Sequence, residues 1–117
     1  MIQEAYISDE VAKLLKEKGF NEPVTGLNKL LFKEGEKPVL KITQQKAMRW
    51  LRKVHNKHCD IGYDIDLKWF FQIIDLKETV EYDYPEPKYY HAKNETGFNT
   101  YEEAVEAALK YCLENLI

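Results

Sequence analysis

The chain has 117 residues, 44% hydrophobic, 32% charged and 13% aromatic, which describes one ordinary globular domain rather than a fibre, a disordered tail or a membrane span. Its 17 basic and 20 acidic side chains leave a net charge of −3, and two cysteines, Cys59 and Cys112, are too few for a disulfide scaffold or a four-cysteine zinc framework, so they read as reduced thiols of a cytoplasmic protein. The five glycines fall in no phosphate-cradling spacing, the lone serine is needed as a helix cap, and no run approaches the roughly 18 apolar residues of a spanning helix, which argues against P-loop and dinucleotide enzymes, serine hydrolases and membrane proteins.

That serine, Ser8, precedes Val11, Ala12, Leu14 and Leu15 at helical spacing. Acids occupy the first turn, lysines the last, and Gly19 follows as a left-handed terminator, which predicts a short helix over 9–18. Residues 21–42 carry Leu27, Leu30, Leu31 and Phe32, then Gly35 and Pro38, then Val39, Leu40 and Ile42, the pattern of a small hairpin or an irregular crossing. Thr43 caps the next segment, where Ala47, Trp50, Leu51 and Val54 fall at i, i+3, i+4 and i+7 and predict a helix over 44–56.

After Asn56 the apolar period changes from 3.6 to 2. Cys59, Ile61, Tyr63, Ile65 and Leu67 alternate with polar residues as a half-buried strand. The denser run from Trp69 to Leu76 suits a central strand covered on both faces, paired antiparallel with the first through a turn near Asp66–Lys68. Val80, Tyr82 and Tyr84 extend it or begin another. Pro85, Pro87, Asn94 and Gly97 impose turns, with a third strand over 88–92 between them. Thr100 and Glu103 form a capping box ahead of Ala104, Val105, Ala108, Leu109, Cys112 and Leu116, so a final helix is predicted over 101–115.

The resulting expectation is a single α+β domain over 1–117: an antiparallel sheet of about three strands packed against two main helices, 44–56 and 101–115, plus the short N-terminal helix 9–18. Trp50, Leu51, Val54, Ile61, Ile65, Phe71, Ile73, Val105, Leu109 and Cys112 are the expected core.

Charge is segregated along the chain. Residues 37–59 hold seven bases and no acid, while residues 60–117 hold five bases and thirteen acids. On a helical wheel Lys46, Arg49, Lys53 and Lys57 lie opposite Trp50, Leu51 and Val54, with Arg52 at the edge. This stripe reads either as the solvated face of an amphipathic helix or as a phosphate-contacting surface. The order helix, three strands, helix resembles that of double-stranded-RNA-binding domains, but the last helix begins with Glu102 and Glu103 where that family has lysines.

His55, His58 and Cys59 bring two histidines three residues apart, matching no strong zinc spacing. Asp60, Asp64 and Asp66 share one face of the predicted strand, either as a magnesium or acid/base pair at about 7 Å or as charges guarding a sheet edge. The edge and helix-end readings account for both groups, so no catalytic residue, metal or cofactor is assigned, and an enzyme is disfavoured. Asn94-Glu-Thr96 matches the glycosylation sequon without a secretion signal beside it. Tyr82, Tyr84, Tyr89 and Tyr90 crowd into a proline-containing segment and suit a partner surface as well as a strand.

Three segments, Lys46-Ala-Met-Arg-Trp-Leu-Arg-Lys-Val-His-Asn56, Val11-Ala-Lys-Leu-Leu-Lys-Glu-Lys-Gly-Phe20 and the ending from Tyr101 to Asn115, resemble a family of small uncharacterised phage and prophage proteins of Bacteroides-type gut bacteria. The resemblance implies a gene context, not an activity, and transfers no functional residue. The function it leaves is a cytoplasmic accessory or protein-interaction module. Its contact surface is the Tyr82, Tyr84, Tyr89 and Tyr90 region or the sheet edge, toward an unidentified protein or a second copy. The alternative is nucleic-acid binding through Lys46, Arg49, Arg52, Lys53 and Lys57.

Overall fold

The computed structural model describes residues 5–20, 30–31, 39–40, 42–81, 85–90 and 95–117. The elements run α1 (Asp9–Glu17), β1 (Leu30–Leu31), β2 (Val39–Leu40), α2 (Gln44–His55), β3 (Lys57–Tyr63), β4 (Trp69–Glu81), β5 (Pro85–Tyr90), β6 (Thr96–Phe98) and α3 (Tyr101–Asn115). The fold is α+β, with the sheet packed on helices as its sequence implies. Between the first two helices, β1 and β2 pair antiparallel as a small hairpin.

All three predicted caps form. Ser8 Oγ accepts the Val11 N–H, Thr43 Oγ1 accepts that of Lys46, and Thr100 Oγ1 accepts that of Glu103. Glu103 reaches back to accept the Asn99 N–H at 3.1 Å, so orphan donors at the start of α3 are satisfied from both sides. Asn56 closes α2 in the left-handed conformation at φ 57°, and the chain turns directly into β3.

The four-stranded antiparallel sheet is built around β4, with β3 on one side and both β5 and β6 along the other. Strand β6 has no signature in the sequence: three residues containing Gly97 at φ 91° carry no readable alternation, and they are held by pairing with Trp69 and Phe70. The third predicted strand lies slightly earlier, at Pro85–Tyr90, because an outer strand tolerates Pro85 and Pro87.

One face of the sheet is covered. Cys59, Phe71 and Ile73 turn inward onto Val105, Ala108, Leu109 and Cys112 of α3, with Ala47, Trp50 and Leu51 of α2 and Val11 and Leu15 of α1 completing the core. The opposite face keeps Phe70, Gln72 and Ile74 half-buried, so β4 is not buried on both faces. Among the described residues, the helices form a single layer on the other face.

Two expected core residues are not in the core. Ile65 is 97% exposed because β3 ends at Tyr63, and residues 64–68 form the hairpin loop rather than more strand. Val54 is 54% exposed, in the last turn of a helix that buries Ala47, Met48, Trp50 and Leu51. Ile61 is half-buried against the core.

Candidate functional site

Burial of Gln44, Ala47, Met48, Trp50 and Leu51 fixes the rotation of α2 about its own axis. Its start is anchored by the chain beginning, where Ile7 N–H donates to Ile42 O and Gln44 N–H to Ala5 O, both at 2.9 Å. Gln44 Nε2 also donates to Glu102 O at 2.9 Å, locking α2 to the start of α3. The remaining positions of the helix therefore face outward. Arg49 and Lys53 are exposed, while Lys46 and Arg52 are half-buried with their stems packed.

Lys46, Arg49 and Arg52 converge with Thr43 and Gln45 on a concavity of about 330 Å³. Among the described residues no acid lines it, and none lies in the first turn of α2. Among the described residues, Arg49, Arg52 and Lys53 form no ion pair. The glutamates of α3 lie elsewhere: Glu102, Glu103 and Glu106 join Glu10 and Lys110 around a groove of about 720 Å³ with Val11, Phe98 and Ala107. There Glu106 accepts the Ser8 N–H and Glu10 pairs with Lys110 at 2.9 Å. Those four glutamates do not line the basic concavity.

Lys57 does not belong to this stripe. The helix ends at His55, so Lys57 opens β3 and its ammonium meets the Asp75 carboxylate at 2.9 Å. Burial alone would lower its pKa, but the bond to Asp75 and that carboxylate's charge outweigh it and hold the ammonium above its ordinary value.

Of the four tyrosines, Tyr82 and Tyr84 lie outside the described residues. Tyr89 and Tyr90 are successive residues of β5 and so point to opposite faces. Tyr90 packs against the core and donates its hydroxyl to Asp75 at 3.3 Å, with the Lys88 ammonium 5.0 Å above its ring. Tyr89, 44% exposed, is on the outer face. The sheet edge suggested as a contact surface lies along β3, the outermost strand on its side.

The described histidines and aspartates are each placed by local contacts. Among the described residues no group of three or more His, Cys, Asp or Glu is placed to hold a metal. His55 packs edge-on against Trp50, ring centroids 4.7 Å apart, and its Nε2 is buried without a hydrogen-bond partner, as is Nδ1 of His58. Burial, then the charges of Lys57 and Lys18, lower the His55 pKa. Cys59 and Cys112 are both buried and free; burial pushes the Cys112 thiol up to about 12 and raises that of Cys59, so neither is a thiolate near neutrality.

Asp64 and Asp66 sit in the hairpin loop, not on a strand face. Asp64 Oδ1 accepts the N–H groups of Asp66 and Lys68, and Oδ2 accepts the Thr96 hydroxyl at 3.3 Å. Asp60 accepts Gln72 Nε2 at 2.8 Å. The loop that Asp64 organises holds Leu67 at φ 60° and displays it 71% exposed beside Ile65. Alternation with Tyr63 had disguised both as strand residues; the signal against that reading was the density of aspartates at 60, 64 and 66.

The chain matches no protein-family model, no curated protein and no solved structure. Among the described residues, no helix is long and apolar enough to cross a membrane.

Proposed function

We propose that this chain is a non-enzymatic, cytoplasmic, phage-type accessory protein that binds nucleic acid through the basic face of α2. One observation supports the reading: among the described residues Lys46, Arg49 and Arg52 line one shallow concavity with no acid beside them, and Arg49, Arg52 and Lys53 have no ion-pair partner. Arginines held on a rigid helix with no ion-pair partner among the described residues suit phosphate oxygens, and release of condensed counterions supplies the affinity. The net charge of −3 is compatible with this, because four of the acids, Glu10, Glu102, Glu103 and Glu106, line a different groove.

The test is an electrophoretic shift with single- and double-stranded DNA and RNA at two salt concentrations. Three phosphate contacts on a duplex give a log–log slope near −2.7 and a loss of about 40-fold between roughly 50 and 200 mM salt. The variant Arg49→Gln/Arg52→Gln should lose binding while keeping its circular dichroism. Absence of a shift at the lower salt, or normal binding by the folded variant, overturns the reading.

The protein-contact reading keeps one supporting observation, the exposure of Tyr89 on the outer sheet face together with Ile65 and Leu67 at the hairpin tip. Rigid, solvent-held apolar side chains gain most when a partner covers them. Sedimentation of the wild type against Tyr89→Ala/Ile65→Ser tests self-association by this surface; identical monomer profiles at high concentration remove that form of it.

A further inference from the structure

An aromatic ladder leads from the basic side of α2 to the tip of the β3–β4 hairpin. Gln45, Arg49 and Arg52 stand at i, i+4 and i+7 on that helix and form one stripe. At the start of the stripe Gln45 Nε2 donates to the Tyr101 hydroxyl at 3.3 Å, and Arg49 lies one turn further on, about 6 Å along the axis. The Tyr101 ring meets Trp69 edge-on with centroids 5.5 Å apart, and Trp69 in turn meets Tyr63 at 4.9 Å. Contacts through α2, α3, β4 and β3 thus join the arginine stripe to three rings in a row.

Exposure rises along this row. Tyr101 and Trp69 are half-buried, whereas Tyr63 is 53% exposed. Cys59, Ile61 and Tyr63 share one face of β3, and the cover over it thins from buried Cys59 through half-buried Ile61 to Tyr63. The turn directly after Tyr63 is fixed by Asp64, whose Oδ1 accepts the N–H groups of Asp66 and Lys68. A ring braced by Trp69 and open to solvent loses little freedom when a planar group stacks on it. Charge divides the course into two ends. Two of the acids near the rings are already engaged, Asp64 in its turn and Glu103 on the Asn99 N–H. Asp66 and Glu102 are exposed there and repel phosphates but not an uncharged base. Phosphates are favoured at the arginines and a base at Tyr63.

We infer that the ligand of the basic face is single-stranded nucleic acid, with Tyr63 the stacking platform for an unpaired base and Arg49 and Arg52 holding phosphates of the same strand. This rests on the nucleic-acid reading above and names its substrate class. A duplex keeps its bases stacked on one another and has no free base face to offer Tyr63, whereas every unpaired base has one, so the preference is for strandedness and not for sequence.

The experiment is a fluorescence-anisotropy titration of the whole chain with an oligothymidylate, with an abasic strand of the same length and with a duplex of the same phosphate number. The oligothymidylate is expected to bind about tenfold more tightly than the abasic strand, the worth of one stacked base. Tyr63→Ala should remove that difference, Tyr63→Phe should keep it, and Arg49→Gln/Arg52→Gln should weaken binding of both strands. Equal affinity of the wild type for the two strands, which needs no variant to fold, overturns the stacking platform and leaves backbone binding standing. A folded Tyr63→Ala that keeps the difference does the same, and a duplex bound as tightly as the oligothymidylate overturns the single-strand assignment. Binding of no probe at low salt overturns both this inference and the nucleic-acid reading.

Discussion

Lys57 and Asp75 face each other across the β3–β4 ladder with 2.9 Å between ammonium and carboxylate, and the Asp75 side chain is only 2% exposed. Asp75 also accepts the Lys77 N–H at 2.8 Å and the Tyr90 hydroxyl, at the point where the register of β4 against β5 shifts. A buried carboxylate thus ties three strands together beside the helix-to-strand turn at Asn56. Removing one partner of such a pair leaves the other charge without compensation, so Asp75→Ala is expected to cost about 3–5 kcal/mol in urea unfolding. A loss below about 1 kcal/mol would show that water reaches the site. The raised Lys57 pKa means that the contribution of this ammonium is fully present below the ordinary lysine value and is lost as pH rises through the higher folded one.

The neighbouring tyrosines of β5 should separate cleanly. Tyr90→Phe removes only the hydroxyl that donates to Asp75 and should cost about 1 kcal/mol, while Tyr90→Ala opens a cavity against the core and should cost more than about 3 kcal/mol. Tyr89→Ala, on the outer face, should stay within about 1 kcal/mol of wild type. Equal losses at the two positions in chemical denaturation would contradict the strand orientation.

Stability should decline in mild acid through His55. Its pKa is lowered by burial and by Lys57 and Lys18, so the unfolded chain takes up the proton more readily than the folded one. The contribution is therefore complete above the ordinary value of about 6.5 and is lost as pH falls from there toward the lower folded pKa. His55→Phe keeps an aromatic ring against Trp50, removes a buried unpaired nitrogen and should flatten this part of the pH profile. Thermal unfolding from pH 7.5 to 5 checks it; an unchanged slope in the variant assigns the acid sensitivity to another group.

Gly62 is the place on β3 where a side chain does not fit. A Cβ there would meet the ring of its cross-strand partner Phe70, which covers the glycine on the outer face. Gly62→Ala should cost about 1–3 kcal/mol by forcing the ring aside, whereas Gly62→Ala combined with Phe70→Ala should show no further clash penalty. Strict additivity of the two single losses in a double-mutant cycle would mean that ring and glycine are not in contact.

The local sequence determined the three helices and the two principal strands. Ser8, Thr43 and Thr100 cap the helices they precede, the apolar positions of α2 and α3 give their buried stripes, and the change of period after Asn56 marks the passage into β3. Each of these rests on interactions within a few residues, which a linear pattern records. Tertiary structure decided the rest. The hairpin loop removed Ile65 and Leu67 from the sheet because turn geometry at Asp64 outweighs alternation, and β6 exists only because β4 offers it a partner. The basic stripe was legible as a set of residues but not as a shape. The end of α2 at Asn56 handed Lys57 to a buried carboxylate eighteen residues away, and the packing of Gln44, Ala47, Met48, Trp50 and Leu51 left Lys46, Arg49 and Arg52 to line one shallow concavity. Charge can be counted along a chain, but its convergence on one volume requires the distances between side chains that only packing sets.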